Sequence, residues 1–292
     1  MTRMSGTSAL AEKLLGKGVV STTSVAGGDI CMSTRLRLTD GTNALIKTRA
    51  NAPEGFFANE ARGLERLRAA GGAPIPEVLG FDEECLILAW IEPGKPQAEI
   101  AEEFGRALAV THSAGAETFG DKQDGFVGLA PLPNGPKDSW EEFYAVRRVL
   151  PYVKAAQDRG HLTSDQAATI ENAIRKLPSL SGPAEPPALL HGDLWSGNMV
   201  WGMDGQVWLI DPAVHGGHRE TDLAMLALFG APHLERIIDA YDEATPLAEG
   251  WRDRIGLHQL HPLLVHTVLF GGAYGARATA VAQNLTEHSH SD

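Results

Sequence analysis

The stretch that most constrains the fold runs from His191 to Asn198 and leads into two short apolar segments that end at Asp211. The two segments flank Asp204-Gly205, a dipeptide typical of the tight turn of a β-hairpin. The ends of so short a hairpin lie close together. The sequence therefore predicts that Asn198 and Asp211 are neighbours in space.

Asp193 lies five residues before Asn198, on the loop that enters this hairpin. The catalytic loop of protein kinases has the same Asp-x-x-x-x-Asn spacing, followed by a metal-binding Asp after a strand pair. We therefore interpret Asp193 as the base that orients the acceptor hydroxyl, and Asn198 and Asp211 as Mg²⁺ ligands. The alternative is a pair of ordinary turn formers. Since Pro212 follows Asp211 where protein kinases have Phe, an ordinary protein kinase is excluded.

The first part of the chain is typical of a nucleotide-binding sheet. Strands are predicted at 19–25, 31–38 and 44–48, with Gly27 and Gly28 in the first turn. Glycines without a Cβ let such a turn lie close over nucleotide phosphates. A plain hairpin would have the same two glycines.

Lys47 lies on the third predicted strand, and an amphipathic helix is predicted at 56–69 with Glu60 at the edge of its apolar stripe. A carboxylate beside a buried face needs a partner. We expect Lys47 to pair with Glu60, as a strand Lys and a helix Glu do in kinases. The alternative is two half-exposed surface charges.

A continuous apolar segment at 85–91 predicts a further strand, ending at Glu92-Pro93-Gly94. At this lobe junction the backbone of three residues is expected to face the adenine of ATP: Ala89, Trp90 and Ile91. A plain buried strand would have the same sequence.

The predicted fold class is α+β, a two-lobe protein-kinase-like fold. Residues 1–92 form a small lobe with an antiparallel sheet and one key helix, and residues 93–292 form a larger, mostly helical lobe. In that lobe we expect a loop at 114–137, an irregular segment at 214–220 and helices at 97–113, 140–156 (interrupted at Pro151), 164–177 (capped by Ser164-Asp165), 221–229, 233–241 and 251–278 (interrupted at Pro262 and Gly271-Gly272).

The loop His191-Gly192-Asp193-Leu194-Trp195-Ser196-Gly197-Asn198 resembles the catalytic loop of the fructosamine kinase (ketosamine-3-kinase) family. The similarity continues through residues 218–225 and 259–266. His-Gly-Asp-x-x-x-x-Asn alone is typical of the wider group of aminoglycoside-phosphotransferase-like kinases. The Leu-Trp-Ser-Gly insert and the Asp-Leu-Ala-Met segment at 222–225 narrow the resemblance to the ketosamine kinases within that group.

The resemblance implies ATP- and Mg²⁺-dependent phosphorylation of a ketosamine, a fructosamine or ribulosamine, at its 3-hydroxyl, in repair or salvage of glycated amines. The substrate partner is then a small or protein-bound glycated amine. Trp195 is expected to stack on the sugar, with packing under the loop as its alternative. Glu220 is the second candidate substrate residue, with a structural role at a helix N-terminus as its alternative. Asp222 is expected to brace the catalytic loop.

Two other functions stay open. One is another small-molecule kinase, acting on an aminoglycoside, choline or an amino sugar. The other is a catalytically inactive nucleotide-binding module, against which the retained catalytic residues argue.

Composition excludes some partners. The net charge of −12 argues against nucleic-acid and anionic-membrane surfaces. No apolar run approaches 18 residues, and the N-terminus lacks a signal-peptide core. A cytoplasmic protein, monomeric or weakly dimeric, is expected. Cys31, just after the glycine turn, is a candidate redox switch; a buried strand thiol is the favoured interpretation.

Overall fold

A computed structural model describes residues 6–26 and 30–288. Gly27 and Gly28 lie outside the described residues. Within the described residues, five antiparallel strands form a sheet in the order β1-β2-β3-β5-β4. The strands are β1 (Val19–Val25), β2 (Met32–Leu38), β3 (Asn43–Thr48), β4 (Val78–Phe81) and β5 (Cys85–Ala89).

Two helices cover this sheet, α1 (Gly6–Leu15) and α2 (Phe56–Ala69). The buried face of α2 carries Phe57, Leu64 and Leu67, together with Glu60. The helix has the predicted bounds, because its apolar residues recur at helical spacing.

The rest of the described chain is mostly helical. Its short strands pair antiparallel in twos: β6 (Gly125–Val127) with β7 (Ala130–Leu132), β8 (Ala188–Leu190) with β11 (His215–Gly217), and β9 (Met199–Trp201) with β10 (Val207–Leu209). The helices are α3 (Ala98–Ser113), α4 (Trp140–Phe143), α5 (Leu150–Asp158), α6 (Ser164–Arg175), α7 (Leu177–Leu180), α8 (Glu220–Phe229), α9 (Leu234–Ala244), α10 (Trp251–Phe270) and α11 (Tyr274–His288).

One hydrophobic cluster crosses between the sheet part and the helical part. It joins Phe57 and Leu64 of α2 to Leu108 of α3, Leu194 of the catalytic loop and Leu223 of α8. Direct hydrogen bonds also tie the linker after β5 to the hairpin, where the Met203 N–H donates to the Glu92 carbonyl at 2.9 Å. The predicted fold class is confirmed, whereas the boundary at residue 92 stays a prediction.

Several local predictions were wrong for identifiable reasons. The loop expected at 114–137 contains the β6–β7 hairpin, and β4 and β11 were not predicted, because strands of three or four residues give too little alternation to detect. A π-helical segment, Tyr144–Val149, joins α4 to α5 immediately before Pro151, whose missing N–H leaves a carbonyl one turn earlier without its α-helical donor.

Pro262 lies inside α10 without interrupting it, contrary to the prediction, whereas the predicted break at Gly271-Gly272 is confirmed: α10 ends at Phe270, and Gly271 has a φ of 63°. Thr163, not Ser164-Asp165, caps α6. The Thr163 hydroxyl accepts from the Gln166 N–H at 3.2 Å, and the Gln166 side chain accepts from the Thr163 N–H at 2.9 Å. This reciprocal pair is a capping box.

We therefore expect Thr163→Ala to lower the free energy of unfolding by about 1 kcal/mol, because one helix N–H loses its acceptor. The measurement is the midpoint and slope of urea-induced unfolding. Ser164→Ala, one residue further along, is the matched control and should change stability by less than about 0.5 kcal/mol. Equal losses in both variants would contradict the assignment of the cap.

Candidate active site

The β9–β10 hairpin places Asn198 beside Asp211, as predicted. The Ile210 N–H donates to the Asn198 carbonyl at 3.1 Å, which closes the open end of the hairpin. The Asn198 amide nitrogen lies 3.4 Å from the Asp211 carbonyl. Two residues thirteen apart in sequence thus meet at one edge of the cleft.

The same amide nitrogen of Asn198 holds Asp193. It donates to the Asp193 carbonyl at 2.8 Å and to the Asp193 carboxylate at 3.1 Å. Because the nitrogen makes these bonds, the amide oxygen of Asn198 is the atom left to meet a cation. Asp193, Asn198 and Asp211 are therefore brought together as the sequence predicted.

Asp193 has a carboxyl group suited to accept a proton near neutral pH. Burial, together with the nearby carboxylates of Asp211 and Asp222, raises the pKa of Asp193 to about 7, against the opposing effect of its hydrogen bond from Asn198. A carboxylate with such a pKa is matched to general-base catalysis.

Lys47 connects the two parts of the molecule. Its ammonium lies 2.6 Å from a Glu60 oxygen and 2.8 Å from an Asp211 oxygen, and its side chain is only 6% exposed. Burial alone would lower the pKa of Lys47, but the charges of Asp211 and Glu60 outweigh it and raise that pKa, so the amine stays protonated. The predicted Lys47–Glu60 pair is present.

Asp222 holds the backbone of the catalytic loop, residues 191–198. Its carboxylate accepts from the backbone N–H groups of His191 at 2.8 Å and Gly192 at 3.0 Å, and lies 3.1 Å from the His112 imidazole nitrogen Nε2. Burial works against ionisation, but these hydrogen bonds lower the pKa of Asp222. The prediction that Asp222 braces the loop is confirmed.

Gly192 cannot be replaced at this brace. Its φ is 81°, and a Cβ there would come within 2.1 Å of the Ala213 carbonyl oxygen. Both the backbone conformation and the close approach require glycine.

His191 is a backbone-holding residue. Its ring accepts from the Asp193 N–H through Nδ1 at 3.3 Å, so Nε2 carries the proton and donates to the Ile210 carbonyl at 2.9 Å. Burial lowers the pKa of His191 and keeps the ring neutral. His191 thus holds the backbone of the loop at two points.

The three residues expected at the adenine differ in whether their backbone N–H groups are free to bind a base. The Ala89 N–H is already bound to the Glu77 carbonyl at 2.8 Å, and the Trp90 N–H lies 3.4 Å from the Asn43 carbonyl. No described residue accepts from the Ile91 N–H. Ile91 is therefore the residue of this segment whose N–H is available to a base, and Ala89 can offer only its carbonyl.

A cavity of about 530 Å³ also touches residues 89–92, but neither Lys47 nor Asp193 lines it. Its other walls are the 71–77 segment and the hairpin tip at Asp204, Gln206 and Trp208. None of its lining residues comes from β1–β3 or the catalytic loop.

Trp195 is 39% exposed on the catalytic loop. One side of its indole lies over Gly197, where an added Cβ would be 2.2 Å from the ring, and Phe229 packs against it edge-to-face with centroids 6.0 Å apart. The indole is thus held by packing while part of its surface remains open to a ligand.

Glu220 does not reach the cleft, contrary to its expected contact with substrate. Its carboxylate binds Arg254 through two hydrogen bonds of 2.6 and 3.0 Å and lies 3.3 Å from His258. With Glu220 only 2% exposed, a substrate has no access to it. The alternative, a structural role at the N-terminus of α8, describes its position.

Sequence reasoning missed two supports of the site. His112 joins Asp222 to Tyr241: its Nε2 lies 3.1 Å from the Asp222 carboxylate, and its Nδ1 lies 2.8 Å from the Tyr241 hydroxyl. Arg49 donates to the Ile30 carbonyl and so holds the backbone just before β2. The sequence held one signal for Arg49: it lies two residues after Lys47, and residues two apart on an extended segment point to the same side.

Cys31 has the buried environment that the sequence favoured. Burial raises the pKa of the Cys31 thiol, which makes the reactive thiolate scarcer. Both cysteines are free and buried.

The donor set at this site fits Mg²⁺. Asp211 offers a carboxylate whose side chain is 39% exposed. The hydrogen bonds of the Asn198 amide are made by its nitrogen, which leaves its oxygen available to a cation. Hard oxygen ligands of this kind, few in number, are what Mg²⁺ takes when nucleotide phosphates complete its shell.

Residues 4–288 match the family model described as fructosamine kinase. This chain belongs to the fructosamine kinase family. A solved structure from Thermobifida fusca, assigned as a fructosamine-3-kinase, is 46% identical and has a TM-score of 0.92, covering 97% of this chain and 99% of that one.

Two relatives extend the family assignment. A protein of Enterococcus faecium assigned as a ketoamine kinase is 34% identical over 264 residues, covering 89% of this chain and 94% of the relative. The chloroplastic protein-ribulosamine 3-kinase of Arabidopsis thaliana is 31% identical over 277 residues, covering 88% of this chain and 80% of the relative. This fructosamine kinase family member is therefore a phosphotransferase.

More distant structures share the fold alone. The choline kinase of Streptococcus pneumoniae is 14% identical with a TM-score of 0.63, covering 97% of this chain and all of the other. The fold is thus that of the protein-kinase-like small-molecule kinases. Within residues 6–26 and 30–288, no helix is both long enough and apolar enough to cross a bilayer.

The raised pKa of Asp193 can be measured directly. In nucleotide-free protein labelled with ¹³C-aspartate, we expect one carboxyl resonance to titrate with a midpoint near pH 7. The resonance should vanish in Asp193→Asn, and its midpoint should fall in Asp211→Asn, which removes a like charge. Asp204→Asn, at the exposed hairpin turn, is the control and should leave it unchanged. An Asp193 midpoint near 4 would contradict the proposed environment.

Proposed function

We propose that this fructosamine kinase family member transfers the γ-phosphoryl group of ATP to the 3-hydroxyl of a ketosamine, a fructosamine or ribulosamine. The observation that carries the proposal is the meeting of Asp193, Asn198, Asp211 and Lys47 at one edge, with Trp195 exposed beside Asp193. The family membership and the names of the relatives support the acceptor.

In this mechanism Asp193 accepts a hydrogen bond from the acceptor hydroxyl and takes its proton as the new O–P bond forms. The bond between the γ-phosphorus and the β–γ bridging oxygen breaks, and ADP leaves with that oxygen. Because the pKa of Asp193 is near 7, the carboxyl can hold the proton at neutral pH and later release it to solvent.

The other residues hold the donor. Lys47, kept cationic by its carboxylate partners, contacts the nucleotide phosphates, and Glu60 keeps the Lys47 side chain in place. Asn198 and Asp211 would hold Mg²⁺, which when bound neutralises phosphate charge. Gly27 and Gly28 are proposed to cover the phosphates, and the Ile91 N–H and Ala89 carbonyl to bind the adenine edge beside Trp90.

Phosphorylation at the 3-hydroxyl places a good leaving group on the carbon next to the C2 carbonyl of the ketosamine. Enolisation towards C1 would give a 1,2-enaminol, which expels phosphate from its allylic C3, and hydrolysis of the resulting C1 iminium by water would release the amine. The proposed role is therefore removal of sugar adducts from amines, free or on proteins. A cytoplasmic location and a monomeric or weakly dimeric state stay predictions.

The activity is tested by ADP release from ATP in the presence of Mg²⁺. The acceptors are fructosyl-lysine, ribulosyl-lysine, a glycated protein, choline and an aminoglycoside. We expect turnover on at least one ketosamine and a loss of at least about 100-fold in kcat for Asp193→Asn, which removes the proton acceptor at nearly constant size.

Asp204→Asn is the matched control and should retain wild-type kcat. Turnover restricted to choline or the aminoglycoside would contradict the proposed acceptor while keeping the mechanism. ATP binding without turnover on any acceptor would favour an inactive nucleotide-binding module.

Trp195 should affect the sugar and not the nucleotide. We expect Trp195→Ala to raise KM for the ketosamine about tenfold, the loss of one stacking surface worth about 1.4 kcal/mol, with KM for ATP changed less than about twofold. The measurement is initial rates with each substrate varied in turn. Trp251→Ala, at the far end of α10, is the matched control. Equal changes in both KM values would contradict sugar stacking by Trp195.

A further inference from the structure

Five rings form a continuous strip that begins at the catalytic loop. Successive ring centroids lie 6.0 Å apart from Trp195 to Phe229, 4.9 Å from Phe229 to His266, and 5.6 and 5.0 Å from His266 to Phe270 and Tyr274. We call this set the aromatic strip. It crosses from the catalytic loop to the end of α8, the last turns of α10 and the start of α11.

The aromatic strip is partly exposed, most of all at Trp195 and Phe270. Phe270 is 58% exposed and Trp195 39%, while the other three rings are half-buried. Contiguous exposed apolar surface on a protein marks a place where another molecule binds.

The strip lies where the two parts of the molecule approach each other. Ile30, which follows Gly27 and Gly28 in the sequence, packs close to Gly128 in the β6–β7 turn, and Leu269 of α10 packs close to the same glycine. A Cβ on Gly128 would come within 2.9 Å of Ile30 and 3.4 Å of Leu269. Leu269 is the residue before Phe270, so the end of α10 that carries part of the strip reaches the β6–β7 turn beside Ile30.

We infer that the aromatic strip is the subsite for the substituent on the amine nitrogen of the ketosamine. This inference rests on the proposed function. Carbons C3, C2 and C1 separate the 3-hydroxyl from the nitrogen, so with that hydroxyl at Asp193 and the sugar on Trp195 the nitrogen lies near Trp195. In the proposed subsite its substituent lies on the next rings of the strip, Phe229 and His266. Its chain is then free to lie against the rings as far as Phe270.

The charges along the strip select an apolar substituent. His266 donates through Nδ1 to the Pro262 carbonyl at 2.8 Å, and burial lowers the pKa of His266, so its ring is neutral at pH 7. At the far end the guanidinium of Arg277 lies over the Tyr274 ring, 5.9 Å from its centroid. A cationic substituent placed beside Arg277 would be repelled by that guanidinium. An alkyl or aromatic substituent would instead be stabilised by burying its apolar surface against the rings.

The test uses fructose adducts of three amines: methylamine, butylamine and benzylamine. For the wild type we expect kcat/KM to rise from the methyl to the benzyl adduct by about tenfold, as burial of a ring surface of this size gives. In Phe270→Ala and Phe229→Ala the benzyl-to-methyl ratio of kcat/KM should fall towards unity.

Phe81→Ala truncates a partly exposed phenylalanine on β4 and is the matched control; its ratio should equal that of the wild type. Phe270 is the leading variant, because so exposed a side chain can be removed without opening the core, and its thermal unfolding should match that of Phe81→Ala. A second readout is kcat/KM for the fructose adduct of a diamine. The free ammonium of this adduct should lower kcat/KM relative to the butylamine adduct.

The outcomes separate this inference from the proposed function. Turnover of the methyl adduct, with no preference among substituents and no change of ratio in Phe270→Ala, would overturn the subsite and leave the kinase activity standing. Absence of turnover on every adduct would overturn both. A preference that survives both phenylalanine variants would place the subsite elsewhere.

Discussion

The buried ammonium of Lys47 is the constraint on which the site depends. A cation that is only 6% exposed needs carboxylates around it, and the two that it has come from different parts of the chain: Glu60 from α2, and Asp211 from the end of the β9–β10 hairpin. Satisfying this one charge fixes α2 against the sheet and brings the hairpin to the sheet. The phosphates of the proposed nucleotide would then meet an ammonium that the protein already holds in place.

A second buried charge holds the catalytic loop. Asp222 accepts hydrogen bonds from two consecutive N–H groups of the loop and from His112 on α3. These bonds orient the loop without touching its reactive face. They also place a negative charge near Asp193, which contributes to the raised pKa of that carboxyl. The residue that braces the loop thus also adjusts its chemistry.

Sequence reasoning predicted most of the residues that meet at the candidate active site, because each of them sits at a distinctive local pattern. Asp193 and Asn198 flank a short loop, Asp211 ends a hairpin with an Asp-Gly turn, and Glu60 falls on the apolar stripe of a helix. It was wrong about Glu220, whose acidic position at a helix start looks the same whether its partner is a substrate or Arg254. Only the fold determines that Arg254, 34 residues later, occupies that carboxylate.

The sequence by itself determined the fold class, the family resemblance and the loop-and-hairpin unit of the site, because these depend on spacing and on turn chemistry within short segments. The tertiary structure decided which charges meet: that Lys47 serves Asp211 as well as Glu60, and that His112 reaches Asp222. It also decided that rings from the catalytic loop and from α8, α10 and α11 form one strip. Such contacts join residues far apart in the chain, and only the packing of the helices brings them together.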